Sequence, residues 1–379
     1  MKNFVKLIQQ VHEERFSVVM NRISAKKIPV AFLSIAPIAQ AVEITKNLRA
    51  QGLNITNLFV IDNTPPVNLD FEIVHVSQAA QIYPQPEYVL ATDTLNAQFA
   101  RKFMSDSKII TPMAIRGQST EYVYELFMVH LDDLWEVYES LIDEESKKTF
   151  CGYWLGCISN QLSKIVYANT PQYICPGFLP KEGDIFIDCG TYDGATAVRF
   201  VNMGCKVYGF EIEKNLYAKA RKVAEEKNFI VENLGLGSRK HEMKYISSGA
   251  ATRLSSQGTE TTQITTIDNY VGENKLPRVD FIKMDVEGAE LDILKGAAIT
   301  LAKYKPTLAL SAYHRLDDFW TLTKFIKSIR PDYEFAMRQY ATKPEDIADW
   351  FSKEKIDILN AFGLEVSDPN YEECVLFAR

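Results

Sequence analysis

Short apolar runs separated by amphipathic stretches recur along most of the chain, the pattern of strands buried on both faces that alternate with helices. Residues 30–35 predict a buried strand, 39–50 an amphipathic helix and 58–61 a second strand. The alternation continues with strands at 72–76, 88–91 and 108–110 and a helix around 95–104, so residues 1–115 are expected to form a small doubly wound α/β domain. Its first turn, Ser34-Ile35-Ala36-Pro37-Ile38-Ala39, holds a proline and none of the three glycines of a dinucleotide fingerprint. A structural, oligomerising or acceptor-positioning role is therefore expected of this domain, including association of copies of the chain through it.

The period then changes. Tyr122, Leu126, His130, Leu134, Val137 and Leu141 stand at helical spacing, and Asp143-Glu144-Glu145 suits a helix start. Pro171, Pro176, Gly177 and Pro180 follow, so residues 116–180 read as a helical connector that closes on a breaker-rich entrance. From 181 to 379 the strand–helix alternation is regular. Strands are expected at 184–188, 206–211, 229–234, 279–286 and 307–312, with helices at 214–227 and 289–304. Strands at 242–246 and 263–267 flank a loop of small residues, and 333–338 with 374–378 suit a terminal antiparallel pair.

The first chemistry-bearing stretch is Asp188-Cys189-Gly190-Thr191-Tyr192-Asp193-Gly194, set between an apolar strand and a helix. Gly190 and Gly194 remove side chains where a ligand must lie against backbone, and the helix that follows offers free N–H groups. The next strand ends in Glu211, about 20 residues further on, the separation at which an acidic residue reaches ribose hydroxyls. Together these residues predict a nucleoside-cofactor site. A nicotinamide cofactor is disfavoured because Gly190-x-x-x-Gly194 is not G-x-G-x-x-G.

The second stretch runs from Val279 to Glu290, where Lys283 and Asp285 interrupt a strand that should be buried. Alternation puts Phe281, Lys283 and Asp285 on one face, and Lys283 and Asp285, two positions apart, can pair at the carboxyl end of the strand. Glu287 and Glu290 would fall in the first turn of the next helix, where negative charge is favoured. Asp285, Glu287 and Asp268 could alternatively hold a Mg²⁺, but because helix-terminal charge explains the glutamates equally well, no metal is assigned.

At this point the chain resembles the FkbM family of S-adenosylmethionine (SAM)-dependent methyltransferases. The matching residues are Asp188-x-Gly190-x-x-x-Gly194, Phe210-Glu211, Thr266-Ile267-Asp268, the run from Lys283 to Glu290 with Leu294 and Gly296, and Ala312-Tyr313-His314. The resemblance covers roughly the last half of the chain. It implies an α/β fold of the class I, Rossmann-like kind, a mostly parallel sheet finished by an antiparallel hairpin, over residues 181–379. It also implies methyl transfer from SAM, typically to a hydroxyl of a sugar, glycan or secondary metabolite.

On that reading Asp188, Gly190, Thr191, Tyr192 and Gly194 border the methionine part of SAM, with Asp188 accepting backbone N–H groups of the turn. Glu211 accepts from ribose and Asn233 contacts adenine. Asp285 is the candidate general base, oriented by Lys283, and His314 is a candidate for acceptor binding or proton transfer. Arg253, in the small-residue loop, is a further candidate to orient the acceptor. A SAM-binding scaffold or regulatory module without turnover, serving glycan assembly, is the alternative.

Composition narrows the picture further. The 379 residues carry a formal net charge of −7, which argues against nucleic acid as a partner and leaves a small-molecule or glycan acceptor. Six cysteines without metal-ligand spacing suit reduced thiols. With charges interrupting the N-terminal stretch and no apolar run of spanning length, a cytoplasmic location and no membrane span are expected.

Overall fold

A computed structural model of the chain describes residues 2–12, 22–34, 38–60, 69–75, 78, 88–91, 108–110, 120–159, 164–249, 252–340 and 373–379. The described residues group into two compact units. One holds those up to His130 together with 151–166, and the other holds 131–150, 167–340 and 373–379.

The first unit is built on β1 (Val30–Ser34), β2 (Ile55–Val60), β3 (Glu72–His75), β4 (Tyr88–Ala91) and β5 (Lys108–Ile110). They form one parallel sheet in the order β3-β2-β1-β4-β5, the doubly wound arrangement read from the sequence. β1 is buried at every position, and of the helices α1 (Lys2–His12), α2 (Ile38–Ala50) and α3 (Thr120–Val129), α2 buries Ala41 and Val42 in the core with Phe32 and Leu58. The expected helix around 95–104 and the middle of the turn after β1 lie outside the described residues.

The second unit takes in α4 (Leu131–Ser140) and the first residues of α5 (Glu144–Ser159). Its sheet comprises β6 (Ile185–Cys189), β7 (Lys206–Phe210), β8 (Ile230–Glu232), β13 (Phe281–Met284), β14 (Thr307–Ser311), β15 (Phe335–Gln339) and β16 (Cys374–Ala378), in the order β15-β16-β14-β13-β6-β7-β8. β16 alone runs antiparallel to its neighbours β14 and β15, as expected from the terminal hairpin. A smaller sheet, β9 (Gly235–Leu236), β10 (His241–Ile246), β11 (Arg253–Leu254) and β12 (Glu260–Thr265), interrupts the alternation.

Chain direction reverses across the sheet between β6 and β13: the chain moves outward through β7 and β8, then returns to the far side of β6. In open α/β sheets a ligand crevice forms beyond the carboxyl ends of strands at such a switch. Phe186 of β6 stacks on Phe281 of β13 with ring centroids 4.9 Å apart, and on Phe200 of α6 (Ala195–Asn202) at 4.2 Å. Because side chains alternate, the positions two residues after this aromatic pair, Asp188 and Lys283, emerge on the same face at the crevice end.

Three expectations are corrected. The strand expected at 229–234 is shorter, β8 at Ile230–Glu232, and β9 just beyond it pairs with β12 in the smaller sheet. Residue 267 starts α8 (Ile267–Glu273) rather than ending a strand, because Thr266 Oγ1 accepts from the Asn269 N–H at 3.0 Å and caps the helix; α7 (Lys214–Lys227) precedes it as expected. The single helix expected over 289–304 is α9 (Glu290–Lys295) and α10 (Ala298–Tyr304), with α11 (Asp318–Ile329) following β14. The break is at Gly296, where a Cβ would come within 2.0 Å of the Gly237 carbonyl oxygen, so this turn packs against backbone from a distant segment.

Gly296→Ala should therefore destabilise the protein by about 3 kcal/mol, the upper end for overpacking. Without that contact, removing a glycine would stabilise by up to about 1 kcal/mol through the unfolded chain. Urea unfolding midpoints of the two proteins decide the sign.

Candidate active site at the strand ends

The turn after β6 is fixed by β7. The Gly190 and Thr191 N–H groups both donate to the Phe210 carbonyl at 3.0 Å, and Thr191 Oγ1 donates to the Asp188 carbonyl at 3.1 Å. Gly190 has φ +81°, and a Cβ there would stand 1.9 Å from the Asp285 carbonyl oxygen. An internal constraint by itself requires this glycine, since the end of β13 fills the space a side chain would need. Gly194 precedes α6 at φ +93°, a left-handed conformation that favours glycine, and a Cβ there would meet Phe229, Ala220 and Val223 only at ordinary contact distance. Asp193 Oδ1 accepts from the Ala195 N–H at 3.0 Å and caps α6.

Glu211, at the end of β7, is 7% exposed. One carboxylate oxygen accepts from the Tyr192 N–H and the other from the Glu213 N–H, both at 2.9 Å. Burial outweighs these bonds and pushes its pKa up to about 7. Each oxygen keeps a second lone pair for a further donor. Tyr192, with φ 56°, is itself partly exposed beside this carboxylate. Asn233 donates its amide to the Glu211 and Ile212 carbonyls at 2.8 and 3.2 Å, which ties down the loop after β7.

Lys283 does not pair with Asp285 as its main partner; this expectation is corrected. Its Nζ lies 3.1 Å from Asp188 Oδ1, with side chains 3% and 0% exposed, and donates to the Gly190 carbonyl at 2.6 Å. The cause is register. Lys283 and Asp188 are directly opposite on adjacent parallel strands, whereas Asp285 is one residue beyond the strand end. Burial pulls the Lys283 ammonium down, but Asp188 and then Asp285 outweigh it and leave its pKa raised, so it stays charged. Asp188 was expected to accept backbone N–H groups of the turn. Instead neither of its oxygens has a hydrogen bond of good geometry, and the lysine charge is its compensation.

Asp285 is held by hydroxyls. Tyr173 donates to Oδ2 at 2.7 Å and Tyr313 to Oδ1 at 3.3 Å, and Tyr173 also contacts Ser311 Oγ at 3.1 Å. Burial would raise the Asp285 pKa, but the Lys283 charge, then His314 and the Tyr173 hydroxyl, bring it below the ordinary aspartate value. Tyr173 and Tyr313 were missed. Tyr313 had a signal, being adjacent to His314 after β14; Tyr173 lies more than a hundred residues away in a turn-rich stretch, where nothing in spacing marks it.

His314, buried after β14, joins three carboxylates. Its Nδ1 lies 2.6 Å from Glu290 Oε1, and its Nε2 lies 3.2 Å from Glu287 Oε1 and 3.4 Å from Asp285 Oδ1. Burial lowers its pKa, yet Glu290 and then Glu287 outweigh that and raise it well above the usual histidine value. That shift favours the protonated imidazolium.

Glu287 is not in the first helical turn, as was expected. It has φ 54° ahead of α9, and its carboxylate faces His314. Glu290 does open α9, but its side chain accepts from the Val286 N–H at 3.1 Å and holds His314. Asp268 is elsewhere: it accepts from the Ile299 and Thr300 N–H groups at 3.0 and 2.8 Å and caps α10. Arg253 lies in β11 and has no part in this group of residues.

A mostly parallel sheet with a glycine turn and a buried acidic strand end has the Rossmann-like α/β architecture. Residues 188–353 match the family model described as Methyltransferase FkbM domain, which supports methyltransferase function. A solved structure of methyltransferase FkbM from Methylobacillus flagellatus KT is similar over 100% of this chain and 98% of its own, with a TM-score of 0.66. At 17% identity that likeness shows a shared fold. Precorrin-6y C5,15-methyltransferase from Geobacter metallireducens GS-15 is 11% identical over 56% of this chain and 93% of its own, and its TM-score of 0.32 supports nothing further. No curated protein matches. Among the described residues, no helix is long and apolar enough to cross a membrane.

Removing one member of a buried pair strands the other. Lys283→Met should cost about 3–5 kcal/mol in urea unfolding, and adding Asp188→Asn should restore a large part of that loss. A double variant no more stable than Lys283→Met alone would contradict the pairing.

Proposed function

We propose that the protein transfers the methyl group of SAM to a hydroxyl oxygen of a sugar, glycan or secondary metabolite. The observation that carries the donor half is Glu211: a buried carboxylate at the second strand end, fixed by two backbone N–H groups, with lone pairs left for two ribose hydroxyls. When bound, SAM supplies an electrophilic methyl on a sulfonium. The chain's own residues then have to align an acceptor oxygen with it and dispose of one proton. The turn from Asp188 to Gly194 lies beside Glu211 and borders the donor in this reading, Thr191 and Tyr192 included. Asn233 shapes the adenine side by fixing the loop rather than by offering its amide.

Asp285 orients the acceptor hydroxyl. Held below the ordinary aspartate range, it is a weak base for a free alcohol. The hydroxyl becomes strongly acidic as the new carbon–oxygen bond forms, so a carboxylate so placed serves if bond formation runs ahead of proton loss. The oxygen gains the methyl carbon, the carbon–sulfur bond breaks with its electron pair passing to sulfur, and the proton passes to Asp285. Lys283 acts here as a positioning residue through Asp188 and the Gly190 carbonyl. His314, as an imidazolium, donates toward the acceptor or its carboxylate neighbours instead of acting as base.

Calorimetry should show SAM binding, with Glu211→Gln weakening it about 10- to 100-fold, the worth of one or two hydrogen bonds to a charged group. Glu211 must be ionised to accept from both hydroxyls, so SAM affinity should rise between pH 6 and 8 and become flat in Glu211→Gln. In the ligand-free protein the sense is opposite: the raised pKa contributes stability below the unfolded value, lost as pH rises through about 7.

Radiolabel transfer to hydroxylated acceptors tests the second half. Asp285→Asn should lower transfer by about 10²- to 10⁴-fold with SAM affinity kept. SAM binding with no transfer to any hydroxyl acceptor would overturn the reaction while leaving the donor site.

A further inference from the structure

We infer that Asp285, Glu287 and His314 form a binding site for one divalent first-row cation of the Mn²⁺ or Zn²⁺ kind, with open positions toward the crevice. This departs from the expectation of no metal. The site's existence rests on geometry alone; its use, to bind and acidify the acceptor hydroxyl, rests on the reaction proposed above.

The carboxylates would carry no such inference without His314. That side chain is 1% exposed, and its Nε2 makes no hydrogen bond of acceptable geometry, although carboxylate oxygens stand 3.2 and 3.4 Å away. These are ion-pair separations in which neither oxygen meets an N–H on Nε2 squarely. They are also the spacings of adjacent ligand atoms around a cation with bonds of about 2.0–2.2 Å. One oxygen of Asp285, one of Glu287 and Nε2 all lie within 4.8 Å of one another. Asp285 is fixed by Tyr173 and Tyr313, so Glu287, 23% exposed, is the side chain that turns to close the remaining gap.

The second layer is in place. Glu290, fully buried, holds Nδ1 at 2.6 Å, which fixes the proton on Nδ1 and turns Nε2 toward the two oxygens, the carboxylate–histidine arrangement that supports metal-ligating imidazoles. Tyr173 donates to the Asp285 oxygen that does not face His314. Charge points the same way. Lys283 is matched by Asp188 and Arg315 by Asp317, which leaves Asp285, Glu287 and Glu290 around one imidazole. A dication displacing the Nε2 proton reduces that excess. One nitrogen and two carboxylates select Mn²⁺ or Zn²⁺ over Mg²⁺, which takes carboxylates and water in preference to imidazole.

The full chain, stripped with chelator and dialysed, should take up one equivalent of Mn²⁺ or Zn²⁺ by calorimetry, with Mg²⁺ binding far more weakly. Glu287→Gln should weaken uptake at least tenfold, and Glu290→Gln, a positioning change, by about 10- to 100-fold. His314→Gln should abolish it. Because the buried variants can fail to fold, the wild-type protein with ¹⁵N-labelled histidine supplies an independent reading: Zn²⁺ should move the His314 Nε2 resonance and leave His241, remote from the site, in place. No uptake by wild type, uptake unaltered in Glu287→Gln, or an unmoved His314 resonance would each overturn the site. SAM affinity of the same metal-free sample separates the two claims, since donor binding without metal uptake sinks only the metal, and metal uptake without donor binding sinks only the reaction.

Discussion

A buried ammonium organises this site. Lys283 sits among strand ends with almost no solvent contact, and its charge is tolerable only because Asp188 faces it across the sheet and the Gly190 carbonyl accepts from it. Those contacts tie the end of β13 to the turn after β6. The Asp285 carbonyl then occupies the space beside Gly190, and the Asp285 carboxylate is left at the crevice with the lysine charge behind it. The turn after β6 and the residues at the end of β13 are therefore tied to each other.

Two carboxylates near this lysine are driven apart. Glu211, buried and bonded to backbone N–H groups, titrates near neutrality, whereas Asp285, closer to positive charge, remains ionised. The first can respond to a ligand that donates hydroxyls. The second keeps a fixed negative charge beside His314, whose own proton is stabilised by Glu290 and Glu287. Fixed negative charge at these strand ends is in keeping with the two cations proposed above, a sulfonium donor and a dication.

Much of the architecture was legible because strands buried on both faces are continuous apolar runs. β1, β6, β13 and β14 announce themselves, and the terminal pair of β15 and β16 follows from two such runs. What failed depended on distant segments. The break between α9 and α10 answers to the Gly237 backbone, and the strand expected at 229–234 stops at Glu232 before β9 joins β12. Lys283 and Asp285 look like partners along the chain, but a strand end puts the true partner across the ladder, at Asp188. Gly190 answers also to the Asp285 carbonyl beside it, a neighbour that spacing does not show. Tyr173, which holds Asp285 from a turn-rich stretch, has no sequence signal, because only the folded chain brings it there.

A crystal structure of the protein with S-adenosylhomocysteine tests the central claim most directly. Ribose hydroxyls are expected within hydrogen-bond distance of both Glu211 oxygens, with the thioether sulfur turned toward Asp285. A nucleoside bound elsewhere, or a Glu211 carboxylate still facing only the Tyr192 and Glu213 N–H groups in the liganded protein, would contradict it.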